Sequence, residues 1–150
     1  MNCKMCLNQI DIHNDPYFIT ELETGYVILG WYQRFRGYSV FQCKQHGPEL
    51  FDLDYNFRIK HFNEVSLVAQ AIYNIFHPDK MNYELLGNGC PHIHWHLYPR
   101  KKGDTPIVSS VYQLPNDILF DKTTIPSTDE RELLKKLIKD EISHLLSSQD

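Results

Sequence analysis

Cys90-Pro91-His92-Ile93-His94-Trp95-His96-Leu97-Tyr98-Pro99-Arg100 sets histidine at alternate positions among large apolar residues. Successive side chains of a β-strand point to opposite faces, so His92, His94 and His96 share one face while Ile93, Trp95 and Leu97 share the other. One face offers chemistry and the other packs into a core, which makes this strand the centre of the fold. At roughly 3.3 Å per residue the three imidazoles span about 13 Å and can line one small cleft, whereas a helix would scatter them. The bland alternative is a strand with three idle histidines, an uneconomical use of a side chain that titrates near neutrality. Another reading makes all three ligands of one zinc with an open position, because two histidines separated by a single strand residue can share a metal.

Pro91 to Tyr98, followed by Pro99-Arg100, resembles the signature of the histidine triad (HIT) superfamily, His-x-His-x-His-x-x with hydrophobic residues at x. The Pro-His-x-His form is also similar to the active strand of the galactose-1-phosphate uridylyltransferase branch. The resemblance implies a nucleotide hydrolase or transferase in which His94, the middle histidine, attacks phosphorus.

The chain has 150 residues, enough for one domain with a sizeable core, and no Gly/Ser/Pro-rich stretch divides it, so a single domain over 1–150 is expected. A formal net charge of −4 and a pI near 6.0 argue against a dedicated nucleic-acid binder. Arg34 and Arg36, and Arg100, Lys101 and Lys102 beside the triad, either supply positive potential for phosphate groups or form an ordinary solvated surface. No apolar run approaches the roughly 20 residues of a membrane span, and Met-Asn-Cys-Lys-Met-Cys lacks the layout of a signal peptide. A cytoplasmic protein is expected, and in that compartment its four cysteines read as thiols or metal ligands rather than disulfides.

Cys3-Lys4-Met5-Cys6 is a C-x-x-C pair that can hold two corners of a zinc site, though redox dithiols share the spacing. Strands are predicted over Tyr17 to Leu22, Gly25 to Trp31 and Tyr38 to Lys44, a meander with a tight Glu23-Thr24 connection. Gln33 to Gly37 falls where histidine triad proteins carry the loop before their nucleotide-facing third strand, which makes Gln33 a substrate-binding candidate. The usual proline and Gly-His of that loop are here Gln33 and Gly37-Tyr38.

Cys43-Lys44-Gln45-His46, leading to Leu50-Phe51-Asp52-Leu53, resembles the family's Lys-x-His strand end and the entry to its helix. His46 alone reads rather as a loop histidine with no metal. In the zinc-bearing branches, among them the bacterial-type diadenosine polyphosphate hydrolases, the metal is held by an N-terminal C-x-x-C, this histidine and the first histidine of the triad. Carried over by position, the implied ligands are Cys3, Cys6, His46 and His92, a closed set that suits structural zinc. No organic cofactor is implied.

Asp54 to Phe76 is predicted as a long helix with the stripe Leu53, Phe57, Phe62, Val65, Val68, Ile72 and Ile75, ended by Pro78; His61 and His77 are expected on its surface. Lys80 to Leu86 reads as a fourth strand and Gly87-Asn88-Gly89-Cys90-Pro91 as a turn. Its glycines let backbone amides approach a ligand, which makes Gly89 a substrate-binding candidate. Asn88 is either the donor to the leaving group or only a turn residue, and Cys90 reads as a packed thiol. After loop-rich residues 101–126, Ser127 and Glu130 form a capping box for a second helix over about 127–146, with Leu133, Leu134, Leu137, Ile138, Ile142 and Leu145 as its stripe.

The expected fold is α+β, an antiparallel sheet of about five strands with two main helices, and the resemblance adds a homodimer. It implies that His94 attacks the α-phosphorus of a dinucleoside polyphosphate or nucleoside phosphoramidate, giving a nucleotidyl-histidine that water hydrolyses. His96 and backbone amides around Gly87 to Gly89 would stabilise the developing charge, and Arg100 would bind substrate. The rivals are a nucleotidyltransferase or phosphorylase, and a zinc-stabilised nucleotide-binding module without turnover.

Overall fold

Alternation in the histidine strand and in its neighbours gives each strand one apolar face, and those faces assemble into an antiparallel sheet. The computed structural model describes residues 3–148. Its strands are β1 (Phe18–Glu21), β2 (Gly25–Leu29), β3 (Ser39–Cys43), β4 (Lys80–Glu84) and β5 (His94–Arg100), in the order β1-β2-β3-β5-β4. Helix α1 (Lys4–Gln9) precedes the sheet, α2 (Tyr55–Phe76) joins β3 to β4, and a turn of helix α3 (Asn116–Leu119) and the long α4 (Thr128–Ser147) follow β5. The α+β class, the five strands and the two long helices are as the sequence predicts.

Register decides which residues meet. Phe41 pairs with Trp95 and Ser39 with Leu97 on the helix side, while Val40 pairs with His96 and Gln42 with His94 on the opposite side. Glu84 of β4 also pairs with His96. On the helix side Val27, Leu29, Phe41 and Leu97 pack against Val68, Ala69 and Ile72 of α2 and Leu134, Ile138 and Ile142 of α4. On the other side residues 101–126 fold over one end of the sheet, where Phe35 and Tyr98 pack with Val111 and Leu114. None of the helices among the described residues is long and apolar enough to cross a membrane.

Asp54 caps α2, its carboxylate accepting from the amides of Asn56 and Phe57, and His77 closes it in a left-handed conformation (φ 45°) before Pro78. The capping box predicted for α4 is half formed. Ser127 accepts from the Glu130 amide, but the Glu130 carboxylate turns to Arg36.

The stripe of α2 differs from the prediction in one respect. Phe62 is 40% exposed, and His61, expected on the surface, is fully buried. His61, Glu64, Val65, Val68 and Ile72 keep the three- and four-residue spacing of a core face, so two polar residues occupy core positions. Burial is tolerated because each is satisfied. Trp95 Nε1 donates to His61 Nε2 (3.1 Å), leaving the ring proton on Nδ1 to donate to Thr24 Oγ1 (3.0 Å). Glu64 accepts from the amides of Glu23 and Thr24 and from the Thr24 hydroxyl, tying the β1–β2 turn to α2.

Burial pushes the pKa of His61 down from 6.5 to about 4. The unfolded chain therefore takes up the proton first as pH falls. Stability is expected to drop below about pH 6.5 and level off under about pH 4, with a loss of up to about 3 kcal/mol. Urea unfolding at neutral and mildly acid pH reads this directly. A His61→Gln variant should show a flatter profile, and an equal pH dependence in both proteins would remove His61 as the cause.

Candidate active site and metal centre

The three triad histidines part company at the start of β5. His92 lies two residues before the strand and turns toward the N-terminal cysteines, while His94 and His96 stay on the open face of the sheet. Among the described residues, the group with metal-ligand geometry is Cys3, Cys6, His46 and His92, whose donor atoms all lie within 4.8 Å of one another. The alternative in which His92, His94 and His96 share one metal finds no counterpart in this arrangement.

Local backbone bonds assemble the four. Cys3 is the cap of α1 and Cys6 lies in its first turn, which sets both sulfurs on one side. The Ile93 amide donates to Gly47 O (3.1 Å), drawing the His46 loop against His92. Nε2 of His92 donates to Cys43 O (2.7 Å), an acceptor shared with the Gln9 side-chain amide. That bond fixes the tautomer, so Nδ1 of His92 presents a lone pair to the cluster. It stands 3.5 Å from each cysteine sulfur and 3.4 Å from His46 Nδ1, which is 3.5 Å from Cys6 Sγ. A tetrahedral zinc with Zn–N of about 2.05 Å and Zn–S of about 2.3 Å has N···N edges of about 3.4 Å and S···N edges of about 3.6 Å. The donor set and its spacing therefore fit zinc. Burial pushes the Cys3 thiol up, but hydrogen bonds led by the Cys6 amide pull it down further, to about 6, which favours the thiolate that metals bind. Cys90, expected as a packed thiol, is half-buried, and its sulfur lies 3.9 Å from that of Cys3.

His94 is buried, and its Nδ1 donates to the His92 carbonyl at 2.5 Å. Nε2 is then unprotonated and free for a substrate. Burial holds the ring below its ordinary pKa despite that bond, so it is neutral at physiological pH. Burial, with neighbouring His94, lowers His96 to about 4. Its Nδ1 lies 2.7 Å from the Tyr38 hydroxyl and its Nε2 3.4 Å from that of Tyr112. Tyr38 follows Gly37, whose φ of 96° and close approach to the Phe76 ring exclude a side chain. Beside His96 opens a cavity of about 150 Å³ with Tyr32, Arg34, Phe35, Tyr98 and Phe120 among its walls.

The other sequence candidates are distributed differently. Asn88 and Gly89 lie in the exposed loop before the triad, and among the described residues the Asn88 side chain makes no hydrogen bond. Gln33 commits its side chain to backbone: its amide donates to Gly30 O and Tyr38 O, and its Oε1 accepts from the Gly37 amide. Arg100 commits all five N–H donors, to Asp104 through Nε and Nη2 and to Asn82, Ser109 O and Thr105. No donor is left for a phosphate, and the group organises the fold of residues 101–109. Arg100→Lys is accordingly expected to cost about 2 kcal/mol of stability, because an ammonium cannot reproduce a five-donor fork. Urea unfolding of the variant reads that loss, and stability equal to wild type would show that the fork does not organise this segment.

Sequence reasoning missed Tyr38, Tyr112 and Glu84. Glu84 faces His96 across the β4–β5 pairing, its Oε1 accepts from the Val111 amide, and its Oε2 is buried without a hydrogen-bond partner among the described residues. Burial pushes its carboxyl upward. Strand periodicity could have placed Glu84 on the site face, but its partner across the sheet depends on register.

The three-histidine strand, paired between β3 and β4 with its first histidine in a Cys/His cluster, agrees with a family-wide match. The central part of the chain is similar to the HIT domain. The HIT domain family model matches residues 37–103, from the end of the Gln33 loop to just past β5. A histidine triad protein from Bradyrhizobium japonicum superposes with a TM-score of 0.73 at 21% identity, covering 83% of this chain and 89% of that one. A hypothetical histidine triad nucleotide-binding protein from Sulfolobus tokodaii gives 0.69 at 24% identity, covering 95% and 93%. A zinc-bound histidine triad family protein from Mycobacterium smegmatis gives 0.67 at 21% identity, covering 99% and 98%. No curated protein sequence matches the chain. Cys3 and Cys6 precede the matched HIT domain, and Tyr112 and Phe120 follow it.

Proposed function

We propose that this single-domain protein is a nucleotide hydrolase of the dinucleoside polyphosphate or nucleoside phosphoramidate type, with His94 as nucleophile and a structural zinc on Cys3, Cys6, His46 and His92. The observation that carries the reading is the His94 Nδ1 bond to the His92 carbonyl, which leaves a neutral Nε2 on the open face. Attack by Nε2 on the α-phosphorus forms a P–N bond to His94 as the leaving group departs, a phosphate oxygen from a polyphosphate or a protonated amine from a phosphoramidate, and water then cleaves the bond to His94. His96, held by Tyr38, donates to a non-bridging oxygen as charge develops there, and the exposed amides and side chain of Asn88 and Gly89 lie next to the triad. Bound zinc would close the four-ligand set and fix His92, and with it the carbonyl that orients His94.

The reading places the protein in a reducing compartment such as the cytoplasm, since the ligand thiols must stay reduced. Edge strand β4, with Tyr83 exposed upon it, is the surface we assign to a homodimer, and sedimentation of the full chain reads that state. Product analysis with a diadenosine polyphosphate decides the acceptor. A hydrolase releases mononucleotide at a rate independent of added inorganic phosphate. Products that carry one phosphate more when phosphate is added would assign a phosphorylase, and tight binding without product would leave a binding module.

A further inference from the structure

The four-ligand set leaves over a third thiol at the same place. Cys90 Sγ lies 3.9 Å from Cys3 Sγ, and a disulfide needs about 2.05 Å, so the two sulfurs have less than about 2 Å to close. Both ends have room to move. Cys3 stands outside the first turn of α1 with an extended backbone (φ −83°, ψ 116°), and that six-residue helix buries no residue. Cys90 ends a loop in which Gly87 has φ +67° and Gly89 has no neighbour within reach of an added Cβ. The two cysteines are 87 residues apart, and such a long loop gives a crosslink a large effect on the unfolded chain.

We propose that Cys3 and Cys90 form a disulfide modification site, oxidised by a peroxide, whose formation withdraws Cys3 from the metal cluster. The proposal rests on reading that cluster as a zinc site. The Cys3 thiolate attacks one peroxide oxygen, the O–O bond breaks with loss of water, and Cys3 becomes a sulfenic acid. The Cys90 sulfur then attacks the Cys3 sulfur and expels the hydroxyl as a second water. Two thiols lose two electrons in total, and one hydrogen peroxide is reduced to two waters. Cys6, His46 and His92 remain as an open three-donor set, which holds zinc less tightly than four. Release frees the His92 segment, whose carbonyl orients His94 at 2.5 Å, so the oxidation state of Cys3 reaches the nucleophile through one residue.

The test treats the full zinc-loaded chain with dilute hydrogen peroxide, following zinc release with a chromogenic chelator and crosslinks by peptide mass mapping. Wild type should lose two thiols, release zinc in step and yield a peptide pair joining Cys3 to Cys90, and dithiothreitol should restore zinc binding. Cys90→Ser should bind zinc as wild type does and release it about tenfold more slowly, ending in overoxidised Cys3. Equal release rates, a crosslink joining only Cys3 to Cys6, or failure of Cys90→Ser to take up zinc would overturn the proposal. The same mapping on metal-free protein separates the two claims: wild type that takes up no zinc but still joins Cys3 to Cys90 loses the metal reading and keeps the disulfide.

Discussion

His94→Ala is expected to lower kcat for a diadenosine polyphosphate by on the order of 10⁴ or more while leaving the fold and the bound metal in place. The size follows from the role, because removing a nucleophile removes the covalent route itself rather than one stabilising contact. The specificity follows from geometry. His94 hands its Nδ1 proton to a backbone carbonyl and contributes no atom to the Cys/His cluster, so its loss disturbs neither the sheet ladder nor the metal. Thermal unfolding and zinc content of the variant should therefore stay close to wild type. Activity within about tenfold of wild type would show that the chemistry runs without a nucleotidyl-histidine.

Cys6→Ser should do the opposite, with zinc content falling from one per chain to near zero and stability by about 3 to 5 kcal/mol. At 150 residues that shifts Tm by roughly 10 °C or more. The cluster joins segments far apart in sequence: α1, the loop after β3 and the approach to β5. Besides the cluster, α1 buries no residue and is tied by the Gln9 amide to Cys43 O and by the Gln42 amide to Met5 O. Metal analysis of His94→Ala and His96→Ala completes the comparison, and both should keep their zinc. Loss of zinc from either would favour three histidines on one metal, against the divergence of His92 from the other two.

Alternation made the position of β5 legible, because Trp95 and Leu97 could only face a core if the histidines faced away from it. The metal ligands were legible through their local motifs and the family resemblance, although three separate segments had to meet. His61 was misread because a polar side chain at a core spacing looks like surface until its partners are known. Those partners are Thr24 of the β1–β2 turn and Trp95 of β5, which only the packing of α2 on the sheet brings close. Arg100 was assigned to substrate from its position beside the triad, yet Asp104, Asn82 and Thr105 consume its donors. Residues 101–126 were unreadable in detail because they have no periodicity. Their fold depends on Arg100 and on contacts with Phe35 and Tyr98, and from it come Tyr112 and the cavity beside His96.

The most direct test of the central claim is the intact mass of wild type and His94→Ala, quenched in acid-free denaturant within milliseconds of mixing with a diadenosine polyphosphate. A gain of one nucleotide on wild type alone, decaying as product appears, is the predicted result. Product release with no transient mass gain, or the same gain on His94→Ala, would contradict the assignment of His94 as nucleophile.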